Sequence, residues 1–164
     1  MTSTEAEPFR ITHKEAVRRA ARWLSGSKRF SVVISELVTQ AGETPDVIAF
    51  QNESSILIEC KVSRSDFLSD KKKLFRIYES SGMGDLRYFA APPGIIEPSD
   101  LPPGWGLLVI ERHVCRERVS PTLKKANKRS EVSLLSSALR RLQISTCVFV
   151  RQDVDEPTLE ASHE

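Results

Sequence analysis

Between Phe30 and Val62 three strand-like runs follow one another with no helix-length segment between them: "FSVVISELV" (30–38), "DVIAF" (46–50) and "ILIECKV" (56–62). Each run is apolar and rich in β-branched residues, and each gap is a turn, first "AGETP" and then "QNESS". Consecutive strands joined by short turns pair antiparallel, so the three runs predict a meander at the centre of the fold.

The flanking segments add helices. Thr12-His-Lys-Glu15 is a capping-box pattern that opens a helix. Ala16, Val17, Ala20, Ala21, Trp23 and Leu24 then recur at helical spacing, and Gly26 stops the run. Ser63 and Ser65 are N-cap candidates for a second helix through about Glu79, with Phe67, Leu68, Leu74, Phe75 and Tyr78 on one stripe. Strands follow over 86–94 and 105–112, with "HVCRERV" as a sixth, then a polar basic loop "SPTLKKANKR" and a last amphipathic helix over 130–143. A helix and a strand after a meander imply a crossover, so the expected class is α/β: a mixed sheet flanked by helices.

At 164 residues the chain has the length of one domain. No apolar run approaches a membrane span, and "MTSTEAEPFR" lacks a signal-peptide core. Cys60, Cys115 and Cys147 are an odd number, widely spaced and without a CxxC, and read as reduced thiols of a cytoplasmic protein. The net charge of +2 hides an asymmetry. Residues 1–8 hold two acids and residues 152–164 hold five, and neither segment has a Lys or Arg. The body between them therefore carries 24 bases against 15 acids, net +9. We read residues 9–151 as the domain, 1–8 as a disordered N-terminus and 152–164 as an acidic, disordered tail. A basic body suits a polyanionic partner, or simply a well-solvated surface.

The chemistry lies in "PDVIAFQNESSILIECK" (45–61). Side chains alternate faces along a strand. Ile56, Ile58, Cys60 and Val62 make one apolar face of the third run, and Leu57, Glu59 and Lys61 make the other. Charges on a strand that is apolar on both faces cost several kcal/mol unless paired or metal-bound. Asp46 opens the preceding strand, so the hairpin brings it near Glu59. Two adjacent carboxylates repel unless a cation sits between them, and oxygen donors suit Mg²⁺. A neighbouring ammonium can hold a water or neutralise charge on a phosphate. The structural alternative is a salt bridge between Glu59 and Lys61 with Asp46 as an ordinary Pro-Asp turn residue.

Pro45-Asp46 followed by Glu59-Cys60-Lys61, each in its strand, resembles the PD-(D/E)xK nuclease superfamily. The order helix, three strands, helix, strand is similar to that superfamily's restriction-endonuclease-like αβββαβ core. The run "ECKVSRSDFLSDKK" followed by "RYFAAPPG" also looks like the MmcB-like DNA-repair branch. The resemblance implies a metal-dependent nuclease hydrolysing phosphodiester bonds in DNA, in repair, recombination or phage DNA processing of a bacterial or phage-like cytoplasm. It implies Mg²⁺ or Mn²⁺ held by Asp46, Glu59 and the backbone carbonyl of Cys60, with Lys61 positioning the attacking water. It leaves open RNA as a substrate, a homodimer for cutting two strands, and a catalytically inactive nucleic-acid-binding module on the same fold.

Other candidates are secondary. Glu36 shares a strand face with Val32, Ile34 and Val38, which makes it either a further catalytic acid or a strand-end residue reaching solvent near Gly42. Glu15 has a sufficient role in the capping box, so Glu36 is preferred. His13, His113 and His163 do not cluster in sequence, and His13 reads as a first-turn helix residue. For phosphate contacts the candidates are Lys71, Lys72 and Lys73 on the second helix and Lys124, Lys125, Lys128 and Arg129 in the basic loop, with Lys14, Arg18, Arg19 and Arg22 on the first helix.

Overall fold

A computed structural model describes residues 9–39, 42–70 and 79–143. The expected disordered termini, the second half of the second helix and Lys71, Lys72 and Lys73 lie outside the described residues. The fold is mixed α/β. Six strands form one sheet in the order of the chain: β1 (Val32–Ser35), β2 (Val47–Gln51), β3 (Ser54–Cys60), β4 (Leu86–Ala91), β5 (Gly106–Ile110) and β6 (Cys115–Val119). The first three are the expected antiparallel meander, β3, β4 and β5 run parallel, and β6 returns antiparallel.

Helix α1 (His13–Arg22) begins where its cap predicts, with the Thr12 side chain accepting from the Glu15 N–H at 3.2 Å. It continues through a π turn (Trp23–Ser27) that contains Gly26. Its apolar stripe, Ala16, Val17, Ala20, Trp23 and Leu24, buries against Val47, Ala49, Ile56, Ile58 and Cys60 on one face of the sheet. The other face carries Ile48, Leu57, Phe89 and Leu107. Helix α2 (Arg64–Asp70) packs there through Phe67, and helix α3 (Lys128–Arg141) through Leu134. Phe89 is the hub of that layer, edge-on to Phe67 at 5.0 Å and stacked on Trp105 at 4.5 Å. Apolar burial on both faces is what a parallel centre requires.

Two boundaries that carry candidate site residues differ from expectation. The first strand ends at Ser35 rather than Val38, because Glu36 takes a left-handed backbone (φ 50°) that breaks the pleat. Glu36 and Val38 are therefore exposed loop residues, and Glu36 does not lie on an apolar strand face. At the other end of the chain, Lys128 and Arg129 are not loop residues. They open α3, whose N-cap is Asn127, its side chain accepting from the Ser130 N–H at 3.1 Å.

Helix α3 is fixed to the sheet by a buried polar lock at the β2–β3 hairpin end. Ser55 Oγ donates to Glu131 Oε1 at 2.6 Å, and the Ser55 and Gly84 N–H groups donate to Asp85 and Glu131. Lys128 Nζ closes the network at 2.5 Å from Asp85 and 3.0 Å from Glu131. Burial alone would raise the Asp85 carboxyl, but its hydrogen bonds to Lys128 and Ser55 outweigh it and hold the pKa below the ordinary value.

A candidate active site at the C-terminal end of β3

Register brings the motif residues to one place. Val47 of β2 pairs with Ile58 of β3, so one step further on Asp46 stands opposite Glu59. Directly opposed residues of antiparallel strands share a face. Asp46 is turned back so that its Oδ2 accepts the Cys60 N–H at 2.7 Å. Glu59 is 2 % exposed and Lys61 is 4 % exposed, and the Lys61 N–H still donates to Ala90 O of β4 at 2.8 Å. Lysine and glutamate thus leave the end of a central strand side by side, out of bulk water.

Their partners decide the electrostatics. Lys61 Nζ lies 3.6 Å from Glu59 Oε2 and 3.0 Å from Asp70 Oδ1, and both contacts are ion pairs without hydrogen-bond geometry. Asp70, at the end of the described part of α2, is 1 % exposed. One ammonium is therefore held between two buried carboxylates. On the opposite side of the sheet end, His13 Nε2 lies 3.3 Å from Asp46 Oδ2, and His13 Nδ1 lies 3.7 Å from Glu36 Oε1. Glu36 meets Asp46 through this imidazole. The Cys60 thiol points into the α1 core, where burial first, and then the Asp46 and Glu59 charges, push its pKa well up. A neutral buried thiol is no nucleophile, so only the backbone of Cys60 is available to the site.

His13 and Asp70 were not singled out by the sequence as members of this group. Asp70 had a signal: it lies three residues after Phe67, on the buried stripe of α2, a carboxylate where the pattern asks for an apolar residue. His13 had none, because a first-turn helix position is ordinary for histidine.

The sequence model of the family described as DNA repair protein MmcB-like matches residues 5–146. The chain belongs to the MmcB-like DNA repair protein family. No curated protein matches its sequence significantly. Among solved structures, a protein of unknown function from Silicibacter pomeroyi is similar, with 28% identity over 82% of this chain and 92% of that one, and a TM-score of 0.59.

The basic candidates of this MmcB-like chain are split between the two ends of the sheet. Lys128 is committed to the Asp85–Glu131 lock, and Lys124 Nζ donates to Pro103 O at 2.9 Å. Lys125 and Arg129 are exposed. All four belong to the hairpin end, where Lys128 reaches Glu53 O and Ser55. From Ser55 to Glu59 the strand rises about 13 Å, so these bases stand well away from Asp46, Glu59 and Lys61. Lys14 follows His13 directly, and Lys14, Arg18 and Arg22 are exposed along α1. No helix among the described residues is long and apolar enough to cross a membrane.

Proposed function

We propose that this protein is a metal-dependent nuclease that hydrolyses phosphodiester bonds in DNA, built on a restriction-endonuclease-like core. The observation that carries the reading is the buried lysine between carboxylates at the sheet end where Asp46 opposes Glu59. The order of α1, β1–β3, α2 and β4 and membership of a DNA-repair family support it.

The donor set fits a hard divalent cation. Glu59 and Asp70 against Lys61 leave one uncompensated carboxylate, and Asp46 supplies a further one at the same sheet end, which one Mg²⁺ or Mn²⁺ would balance. Among the described residues no three His, Cys, Asp or Glu side chains form a ready-made cage. Mg²⁺ needs none, since it keeps several waters and binds through one or two carboxylates together with substrate phosphate. Asp46 and Glu59, with the Cys60 carbonyl, would hold the ion. When bound, it would polarise the scissile phosphate and lower the pKa of an attacking water.

The chain's own groups do the rest. Lys61, held between two carboxylates, orients the water or neutralises charge developing on the phosphate. The Cys60 N–H fixes Asp46, and His13, backed by Glu36, steadies its carboxylate from the α1 side. Lys14 and Arg22, with Arg18 also paired to Glu15 at 2.7 Å, would take flanking phosphates ahead of Lys124, Lys125, Lys128 and Arg129. The alternative, a nucleic-acid-binding module that does not cut, is favoured by one observation: Asp46 Oδ2 is already engaged by both Cys60 and His13.

The test compares wild type with Asp46→Asn and Lys61→Ala on linear, nicked, flapped and branched DNA in Mg²⁺ or Mn²⁺. Cleavage that requires the metal and is lost in both variants is expected. DNA binding without metal-dependent cleavage would select the alternative, and variants that cut as well as wild type would remove the site assignment.

A further inference from the structure

Lys61 has two carboxylates to choose between, and it lies nearer to Asp70 (3.0 Å) than to Glu59 (3.6 Å). All three side chains are at least 95 % buried, so water screens these charges weakly. An ammonium seated fully on Glu59 would occupy the oxygens that a divalent ion needs. We propose that Asp70 is a positioning residue that draws the Lys61 ammonium away from Glu59, so that the ammonium does not compete with a metal ion for that carboxylate. This rests on the metal-site reading and adds the residue that makes it workable.

The arrangement follows from the fold. Lys61 sits one residue past β3 and is tethered by its N–H to Ala90 O, which holds its backbone to the sheet. Only the side chain can swing, and its two anchors come from different elements, Glu59 from the same strand and Asp70 from α2. Phe67 locks α2 onto the sheet through Phe89, which sets Asp70 at its distance. With Asp70 neutral, the strongest remaining attraction in this group is Glu59, and Lys61 falls onto it as an internal competitor of the ion.

The prediction is a double-mutant cycle read by Mn²⁺ affinity of the full-length protein, by calorimetry or electron paramagnetic resonance, without DNA. Asp70→Asn, isosteric and neutral, should weaken Mn²⁺ binding by about tenfold or more, the usual cost of losing an outer-shell partner. Adding Lys61→Met to Asp70→Asn should recover most of that loss, because the competitor is gone. The single Lys61→Met variant separates positioning from charge: restored net charge alone raises Mn²⁺ affinity by a similar factor with or without Asp70, whereas removal of a competitor raises it more in Asp70→Asn than in wild type. Circular dichroism checks the fold, and Asp70→Ser serves as the second neutral variant should the first not fold. Unchanged affinity in Asp70→Asn overturns the proposal. A loss that Lys61→Met does not relieve also overturns it, making Asp70 itself a ligand. A wild-type protein that binds Mn²⁺ while Asp70→Asn behaves normally sinks this inference alone, and a wild type that binds no Mn²⁺ sinks the metal reading with it.

Discussion

At the scale of single residues, the site is a balance of buried charge. Glu59, Lys61 and Asp70 are all withdrawn from water, and each would be intolerable alone. Removing the ammonium should therefore cost more than breaking a surface ion pair would. Lys61→Met is expected to lower the unfolding free energy by about 3–5 kcal/mol in metal-free buffer, measured by urea denaturation. Millimolar Mg²⁺ or Mn²⁺ should return part of that loss by filling the same negative site. A variant as stable as wild type would show that the two carboxylates do not depend on this lysine. Parity along "ILIECKV" made Glu59 and Lys61 legible, because two charges on one face of a doubly apolar strand demand partners. Asp70 was not chosen, although its place on the Phe67 stripe obeys the same logic. Only its approach to Lys61 distinguishes it from any other helix aspartate.

At the scale of elements, turns and locks set what the strands present. Gly84, at the entry to β4, has φ +84°, and a Cβ there would lie 2.5 Å from Leu57 Cβ. Gly84→Ala combines a left-handed backbone with a clash against a central strand. It should cost roughly 2–4 kcal/mol, in the range of combined backbone strain and overpacking, and a melting curve checks it. The lock on α3 has a pH signature. Asp85 has its folded pKa depressed, so its contribution is present above the unfolded value of about 4 and is lost as pH falls through the folded pKa. For Lys128, desolvation would lower the pKa, but hydrogen bonds to Asp85 and Glu131 raise it, so its contribution is lost only as pH rises through that raised value. Asp85→Asn should thus be about 1–2 kcal/mol less stable than wild type at pH 7. The gap should shrink toward pH 3, and denaturation at several pH values would reveal a constant gap if the lock were not ionic. The meander and α1 were readable from periodicity and capping. The early end of β1 was not, because nothing in "VVISELV" announces that Glu36 turns left-handed.

At the scale of the whole molecule, the sheet has two ends with different tasks. The hairpin end holds the α3 lock and the 124–129 bases, and the other end carries two groups, Asp46 with His13 and Lys61 with Glu59 and Asp70. On the proposed nuclease reading, phosphates flanking the bond at the second end would be reached from α1. Neutralising Lys14, Arg18 and Arg22 together should flatten the salt dependence of DNA binding, by about one unit of log–log slope for each phosphate no longer neutralised. Lys125→Ala with Arg129→Ala should leave it nearly unchanged. Fluorescence anisotropy across a salt series checks both, and the reverse ranking would return the binding surface to the hairpin end.

Local patterning in the chain was enough to set the strand meander, the α1 cap, the class of fold and the pairing of Glu59 with Lys61 across from Asp46. These follow from periodicity, hairpin length and face parity, which are properties of near neighbours. It took the assembled fold to bring Asp70 and His13 into the site, to spend Lys128 on an internal lock, and to put the basic loop at the far end of the sheet. Those facts depend on which helix packs where, and on side chains 9 to 76 positions apart meeting once the sheet is formed. Pairing over such separations leaves no periodic trace in the chain.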